Sequence, residues 1–307
     1  MNLRSGTAPA ARLARPRGLA LWWLAIRPRT LSLAAMPVLV GSALAWRQGA
    51  PLAWLPLAVA LLCALLIQAG TNLYNDAGDF LRGNDGPTRL GPARVTAAGL
   101  ATPSQVRRAA ALTFGAALLG GVYLVALGGW PIFLIGLASL AAGWAYSGGP
   151  RPLSHSPWGE VCVLLFFGLA AVAGSHYLQS SRLAPSALVA GLALGAHAAA
   201  VLLVNNVRDV EADRRVGRRT LAILLGPTIA RWLYLALMLT PFPLLAGLDA
   251  LAGTRLLPTT LLALPVCLFL GTGFLRPPPG ALMNRQLART AQAQMLLAAL
   301  FCLACLG

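Results

Sequence analysis

Runs of uncharged, apolar sequence too long for a soluble fold constrain this chain more than any other feature. Nine such stretches lie near 20–45, 52–74, 104–127, 130–146, 158–179, 185–206, 228–248, 254–274 and 287–306. A helix needs about 20 apolar residues to cross a hydrocarbon core. Barrel strands are half that length and alternate with period two, which these runs do not. Only 10% of the residues are charged, against about 25% in an ordinary soluble domain. The expectation is an all-α polytopic membrane bundle of nine transmembrane helices. It forms one membrane-embedded domain over residues 20–307, behind a basic segment, 1–19. Arg4, Arg12, Arg15 and Arg17 ahead of LALWWLAI mimic a signal peptide. Arg27 and Arg29 interrupt the apolar stretch too early for one, so a retained first span is expected.

A formal net charge of +16 comes from 24 basic residues, all of them arginine. They stand at the ends of apolar segments, where charge orients a membrane protein. No nucleic-acid partner is needed, and the surroundings are membrane lipid. By loop, 21 arginines lie with the N-terminus and the even-numbered loops, and 3 (Arg47, Arg182, Arg255) lie opposite. The positive-inside rule then puts the N-terminus in the cytoplasm. Cys63, Cys162, Cys267, Cys302 and Cys305 all fall in apolar segments, so even the CxxC at 302–305 reads as packing. His176 and His197, alone in apolar spans, read the same way.

Of eight acidic residues, only Glu160 and Asp249 stand apart from two clusters. Asp76, Asp79 and Asp85 lie in NLYNDAGDFLRGND, and Asp209, Glu211 and Asp213 in NNVRDVEAD. Each cluster begins where an apolar span meets the arginine-rich side. A carboxylate at membrane depth costs about 2.5–3.5 kcal/mol on insertion scales, so such a concentration points to function. Asn72, Asp76 and Asp79 are spaced i, i+4, i+7, and Asn205, Asp209 and Asp213 i, i+4, i+8; each set shares one helix face. An Asn-x-x-x-Asp unit thus recurs 133 residues on, a hint of internal duplication.

Facing rows of carboxylates repel unless a cation lies between them. Mg²⁺ suits the place, because it takes carboxylate oxygens, keeps waters and binds substrate phosphates. The expected ligands are Asn72, Asp76, Asp79, Asp85, Asn205, Asp209 and Asp213. Arginines beside the acids can grip a diphosphate bidentately, with Arg89, Arg94, Arg208 and Arg218 the candidates. For Asp85, Glu211 and many arginines, salt bridging between solvated loops is an equally good reading. Shared helix faces argue against it for Asp76, Asp79, Asp209 and Asp213.

These motifs resemble those of the UbiA superfamily of intramembrane aromatic prenyltransferases. That family has an NDxxDxxxD-like motif after its second helix and a DxxxD-like motif after its sixth. Here they read NDAGD at 75–79 and DVEAD at 209–213. Five segments in order resemble its naphthoate-prenylating branch: WLAIRPRTLSLAAMPVLVGSALAW, NDGPTRLGPARVTAAGL, YSGGPRPL, GEVCVLLFFGLAAVAGSHYLQ and NNVRDVEADRRVGRRTLAILLG. Gly83 stands where the wider family has its third Asp, and the resemblance implies that Asp85 takes that place. His155 stands where the branch often has Tyr, which leaves its acceptor-side role open.

The resemblance implies a Mg²⁺-dependent transfer at the cytoplasmic face of the inner membrane. A polyprenyl diphosphate ionises, 1,4-dihydroxy-2-naphthoate attacks, CO₂ is lost, and demethylmenaquinone results in menaquinone biosynthesis. Asp76, Asp79, Asp209 and Asp213 would be the catalytic acids. Tyr74 and Tyr146 would steady the allylic cation through their π faces, although both also suit an interfacial belt. Two rival readings are a relative acting on 4-hydroxybenzoate or another acceptor, and a membrane transporter. A transporter calls for acids along a route to both faces, whereas these cluster at one.

Overall fold

The computed structural model describes residues 16–85, 90–92, 94–276 and 280–307. Among them there is no strand. The helices are α1 (Leu19–Ala25), α2 (Ser32–Arg47), α3 (Trp54–Leu81), α4 (Pro103–Ala145), α5 (Gly159–Leu164), α6 (Ala171–Ser180), α7 (Pro185–Arg215), α8 (Leu221–Leu239), α9 (Pro241–Ala252), α10 (Leu257–Thr260), α11 (Leu264–Gly273) and α12 (Met283–Leu306). A π-helical turn, Leu165–Ala170, fuses α5 and α6 into one rod.

Among the described residues, seven helical stretches are long and apolar enough to cross a membrane, and Leu257–Gly273 is a shorter apolar one. Nine separate stretches were expected, and the difference lies chiefly in α4. The 104–127 and 130–146 stretches are two helical arms, 43 residues in all, that meet at non-helical Gly129 and together make up α4. Drawn straight it would measure about 65 Å, twice a core of about 30 Å. It breaks at Gly129, whose φ of 62° and ψ of −149° only glycine adopts without strain, and Pro131 follows. The two arms fold back on each other, because Gly143 of the second lies against the Phe114 ring of the first. Gly70 of α3 borders the same ring, so three helical segments meet there.

Buried α7 runs through the centre of the bundle. Its small residues Ala187, Ala190 and Ala193 pack in one core cluster with Val40, Leu44 and Phe301. Small side chains let backbones approach closely, which is how membrane helices gain packing without a hydrophobic drive. Six of the seven exposed tryptophans stand near helix ends, Trp46, Trp54 and Trp130 on one side and Trp23, Trp144 and Trp158 on the other, while Trp232 lies within α8. That is the distribution of interfacial belts. At the first end Arg47 donates to the carbonyls of Ala304 and Thr254 at 3.0 and 2.9 Å, tying α2 to α12. His176 Nε2 pairs with Gln48 Oε1 at 2.8 Å and His197 Nε2 with the Met238 carbonyl at 3.0 Å, so both are packed, hydrogen-bonded residues.

Candidate active site

Helices α3 and α7 end side by side, and Arg218, just beyond α7, joins their acids. Its Nη2 donates to Asp79 Oδ1 at 2.6 Å and its Nη1 to Asp213 Oδ1 at 3.0 Å. Two clusters far apart in sequence therefore lie within the span of one guanidinium. Arg94, from the loop before α4, is the second cation. It lies 2.6 Å from Asp79 Oδ2 and 3.3 Å from Asp85 Oδ2, and it donates to the backbone and side-chain oxygens of Asn75 at 3.0 Å each. Burial by itself would lower the Arg94 pKa; the carboxylates of Asp79 and Asp85 outweigh it and hold the guanidinium above its ordinary value. Asn84 Nδ2 donates to Asp79 Oδ1 at 3.0 Å, and His155 Nε2 lies 4.0 Å from that oxygen.

The second cluster has its own clamp. Arg208 donates from Nε and Nη2 to Asp209 at 2.8 and 2.5 Å, from Nη2 to Asn205 at 2.8 Å, and from Nη1 to Asn284 Oδ1 at 2.7 Å. Asn284, near the start of α12, donates in turn to the Leu90 carbonyl at 2.9 Å. The loop beyond α3, α7 and α12 are thereby tied together at the mouth.

From this mouth a cavity of about 680 Å³ runs into the bundle. Asn75, Asp79, Arg94, Asp209, Asp213 and Arg218 border its polar end, and Val38, Cys63, Leu124 and Ile132 its apolar depth. Tyr146 and Asn205 also line it.

Three expectations need correction. The cavity face of α3 is Gln68, Asn72, Asn75 and Asp79, not Asn72, Asp76 and Asp79. Asp76 turns away because the backbone amides of Val95 and Thr96 each donate to its carboxylate at 3.1 Å, and the Thr96 hydroxyl bonds it as well. Asn72 reaches the cavity, but its amide donates to the Ile26 carbonyl and Thr30 hydroxyl at 2.8 and 3.1 Å, which secures the segment before α2. Tyr74 faces a separate cavity of about 190 Å³ with Gly78, Arg82, Arg107 and Ser147, away from the acids. Arg89 lies outside the described residues.

Residues 34–300 match the model of the UbiA prenyltransferase family. The chain belongs to that family. The 1,4-dihydroxy-2-naphthoate octaprenyltransferase of Escherichia coli is 37% identical over 295 residues, 92% of this chain and 94% of that protein. The protein of the same name from Mycobacterium tuberculosis is 37% identical over 220 residues, 71% of this chain and 74% of that one. A UbiA homologue from Archaeoglobus fulgidus, solved with geranyl diphosphate and Mg²⁺, shares the fold: TM-score 0.67, 17% identity, 94% of this chain and 100% of that one.

Seen as a UbiA site, the mouth owes much to residues other than the acids and their arginine clamps: Arg27, Asn75, Asn84, His155 and Asn284. Arg27 has φ 55°, rare outside glycine, and its guanidinium donates to Asn75 Oδ1 at 3.4 Å on the cavity wall. Asn75, one turn before Asp79, was open to discovery from helical spacing. Asn284, more than 70 residues beyond the second motif, carried no such signal. Among the described residues no three His, Cys, Asp or Glu side chains stand together as a ready-made metal cluster. The donors at the mouth are nonetheless carboxylate and amide oxygens from both halves, the hard ligands that a divalent cation such as Mg²⁺ takes. The residues present fit such an ion.

Proposed function

We propose that this UbiA-family chain transfers a polyprenyl group from polyprenyl diphosphate to 1,4-dihydroxy-2-naphthoate, with loss of CO₂, giving demethylmenaquinol, the two-electron-reduced form of demethylmenaquinone, for menaquinone biosynthesis. The observation that carries it is the convergence of both acid motifs on Arg218 at the mouth of an apolar cavity. The naphthoate acceptor is supported by the names of relatives that match most of the chain.

Asp79, Asp85, Asp209 and Asp213, with Asn205 beside them, would hold Mg²⁺. Bound there, the ion neutralises charge on the departing diphosphate. Asp76 and Asn72 serve the same site as wall-builders, holding the Arg94 loop and the segment before α2. Arg218 has one acid on each Nη and a second N–H left on each to donate bidentately to phosphate oxygens. Arg94, whose Nη groups go to Asp79, Asp85 and Asn75, would join it by exchanging a carboxylate for phosphate, with Arg208 and Arg89 completing the set. The allylic carbon–oxygen bond breaks and its electron pair leaves with the diphosphate. A ring carbon of the acceptor then attacks the allylic carbon, and the carboxylate departs as CO₂. Tyr146 offers a π face to the cation, and the apolar wall keeps water from capturing it. Arg27 and Asn75 are placed to receive the polar groups of the acceptor.

In the membrane we infer nine crossings, with the arms of α4 taken as two and Leu257–Gly273 as one. The 21 to 3 division of arginines supports placing the N-terminus and both acid clusters in the cytoplasm, at the inner membrane. Residues 20–307 then act as one catalytic domain. The test is purified protein given a long-chain polyprenyl diphosphate with each acceptor in turn. Prenylated naphthoate with matching CO₂ release is expected. Prenylated 4-hydroxybenzoate that keeps its carboxylate, with no reaction of the naphthoate, would overturn the acceptor assignment.

A further inference from the structure

The α5–α6 rod borders the cavity along its whole length, through Val163, Phe167, Ala171 and Ser175 as well as a stripe of residues four apart. Cys162, Phe166, Ala170, Gly174 and Leu178, each four residues apart, all border it. At 3.6 residues per turn, the path from Cys162 to Leu178 would swing a straight helix about 160° off its starting face. The π-helical turn Leu165–Ala170 accommodates an extra residue and cancels roughly 100° of that drift. Packing holds the turn in place. Gly168 lies against Gly191 and Gly195 of α7, where an added Cβ would run into main-chain atoms.

Two consecutive rings of the turn, Phe166 and Phe167, stand on the cavity wall. Phe167 also rests in a cluster with Leu33, Val201 and Leu287. Val201 lies eight residues before Asp209 on α7, a rise of about 12 Å into the bundle. An extended isoprene unit, four carbon–carbon bonds of about 1.5 Å in zigzag, advances roughly 5 Å. With a diphosphate at the acid mouth, the first unit fills the gap above Phe167 and the second lies beside its ring.

We propose that Phe167, within the π turn and on the cavity wall, is a specificity-determining residue that reads the second isoprene unit of the donor. This rests on the prenyl-transfer reading above. Neither the acid motifs nor the arginine clamps can supply such discrimination, because they meet only the diphosphate, which every donor shares.

The experiment compares kcat/KM for dimethylallyl, geranyl and farnesyl diphosphates in the wild type, Phe167→Ala, Phe167→Leu and Phe167→Trp. The wild type should favour geranyl over dimethylallyl. Phe167→Ala should reduce that ratio roughly ten-fold while leaving the farnesyl-to-geranyl ratio in place, and Phe167→Leu should fall between. Phe167→Trp, which crowds the same level, should disfavour geranyl and farnesyl alike against dimethylallyl. An equal loss with all three donors in Phe167→Ala and Phe167→Leu would mark a packing role and overturn the inference, as would an unchanged ladder. If Phe167→Ala does not fold, Phe167→Leu and Phe167→Trp carry the comparison. A wild type inactive with every donor would instead count against the prenyl-transfer reading itself.

Discussion

At the level of single residues, the site depends on how carboxylates at a membrane edge are kept together. Asp79 has a guanidinium on each oxygen, Arg94 on one and Arg218 on the other. Removing one partner of a buried ion pair costs about 3–5 kcal/mol, because the other charge is left without compensation. Arg94→Ala is therefore expected to lower the melting temperature in detergent and to abolish turnover. Arg94→Lys should keep most of the stability yet raise the KM for diphosphate, because one ammonium cannot span Asp79, Asp85 and Asn75 at once. Asp76 and Asp79 should part company in a second comparison. Asp79→Asn should remove activity and leave the loop ordered. Asp76→Asn should loosen the loop, since an amide offers one acceptor oxygen to two backbone N–H groups. Faster hydrogen exchange at Val95 and Thr96 in Asp76→Asn alone would bear this out, and equal protection in both variants would refute it. Spacing made the acids legible in the sequence. It did not reveal that Asp76 faces a loop about 20 residues on, because an i, i+4 relation says which residues share a face but not which partner claims each one.

At the level of elements, hydropathy located the apolar stretches, both arms of α4 among them, but not the geometry of the join. The apolar runs at 104–127 and 130–146 do not say how sharply the chain turns between them; the backbone at Gly129 decides it. Placing a Cβ at that positive φ costs about 1 kcal/mol or more. Gly129→Ala should therefore lower the melting temperature by a few degrees while the acids keep their chemistry. An unchanged melting temperature would mean that the hinge bears no strain. The π turn was likewise invisible, because it follows from the approach of Gly168 to α7 and not from local propensity. His155 shows the reverse: marked out in the sequence as a departure from the branch, it lies beside Asn84 and Asp79 at the mouth.

For the whole molecule, membrane arrangement and metal dependence are the properties to test. Cysteines placed at exposed Arg82 and Val216 should react with an impermeant reagent from the cytoplasmic side, and one at exposed Arg255 from the opposite side. Reaction of Arg82→Cys and Val216→Cys from different faces would break the topology and the shared site together. Turnover should vanish with EDTA and return with Mg²⁺. The claim beneath all of this is that the acids of α3 and α7 form one site. Its most direct test is calorimetric binding of a non-cleavable thio analogue of farnesyl diphosphate, with Mg²⁺, to Asp79→Asn, Asp213→Asn and the double variant. One shared site predicts that each single change weakens binding strongly and that the double change adds little, since groups acting as a unit are not additive. Losses that simply add, or full binding retained in Asp213→Asn, would contradict it.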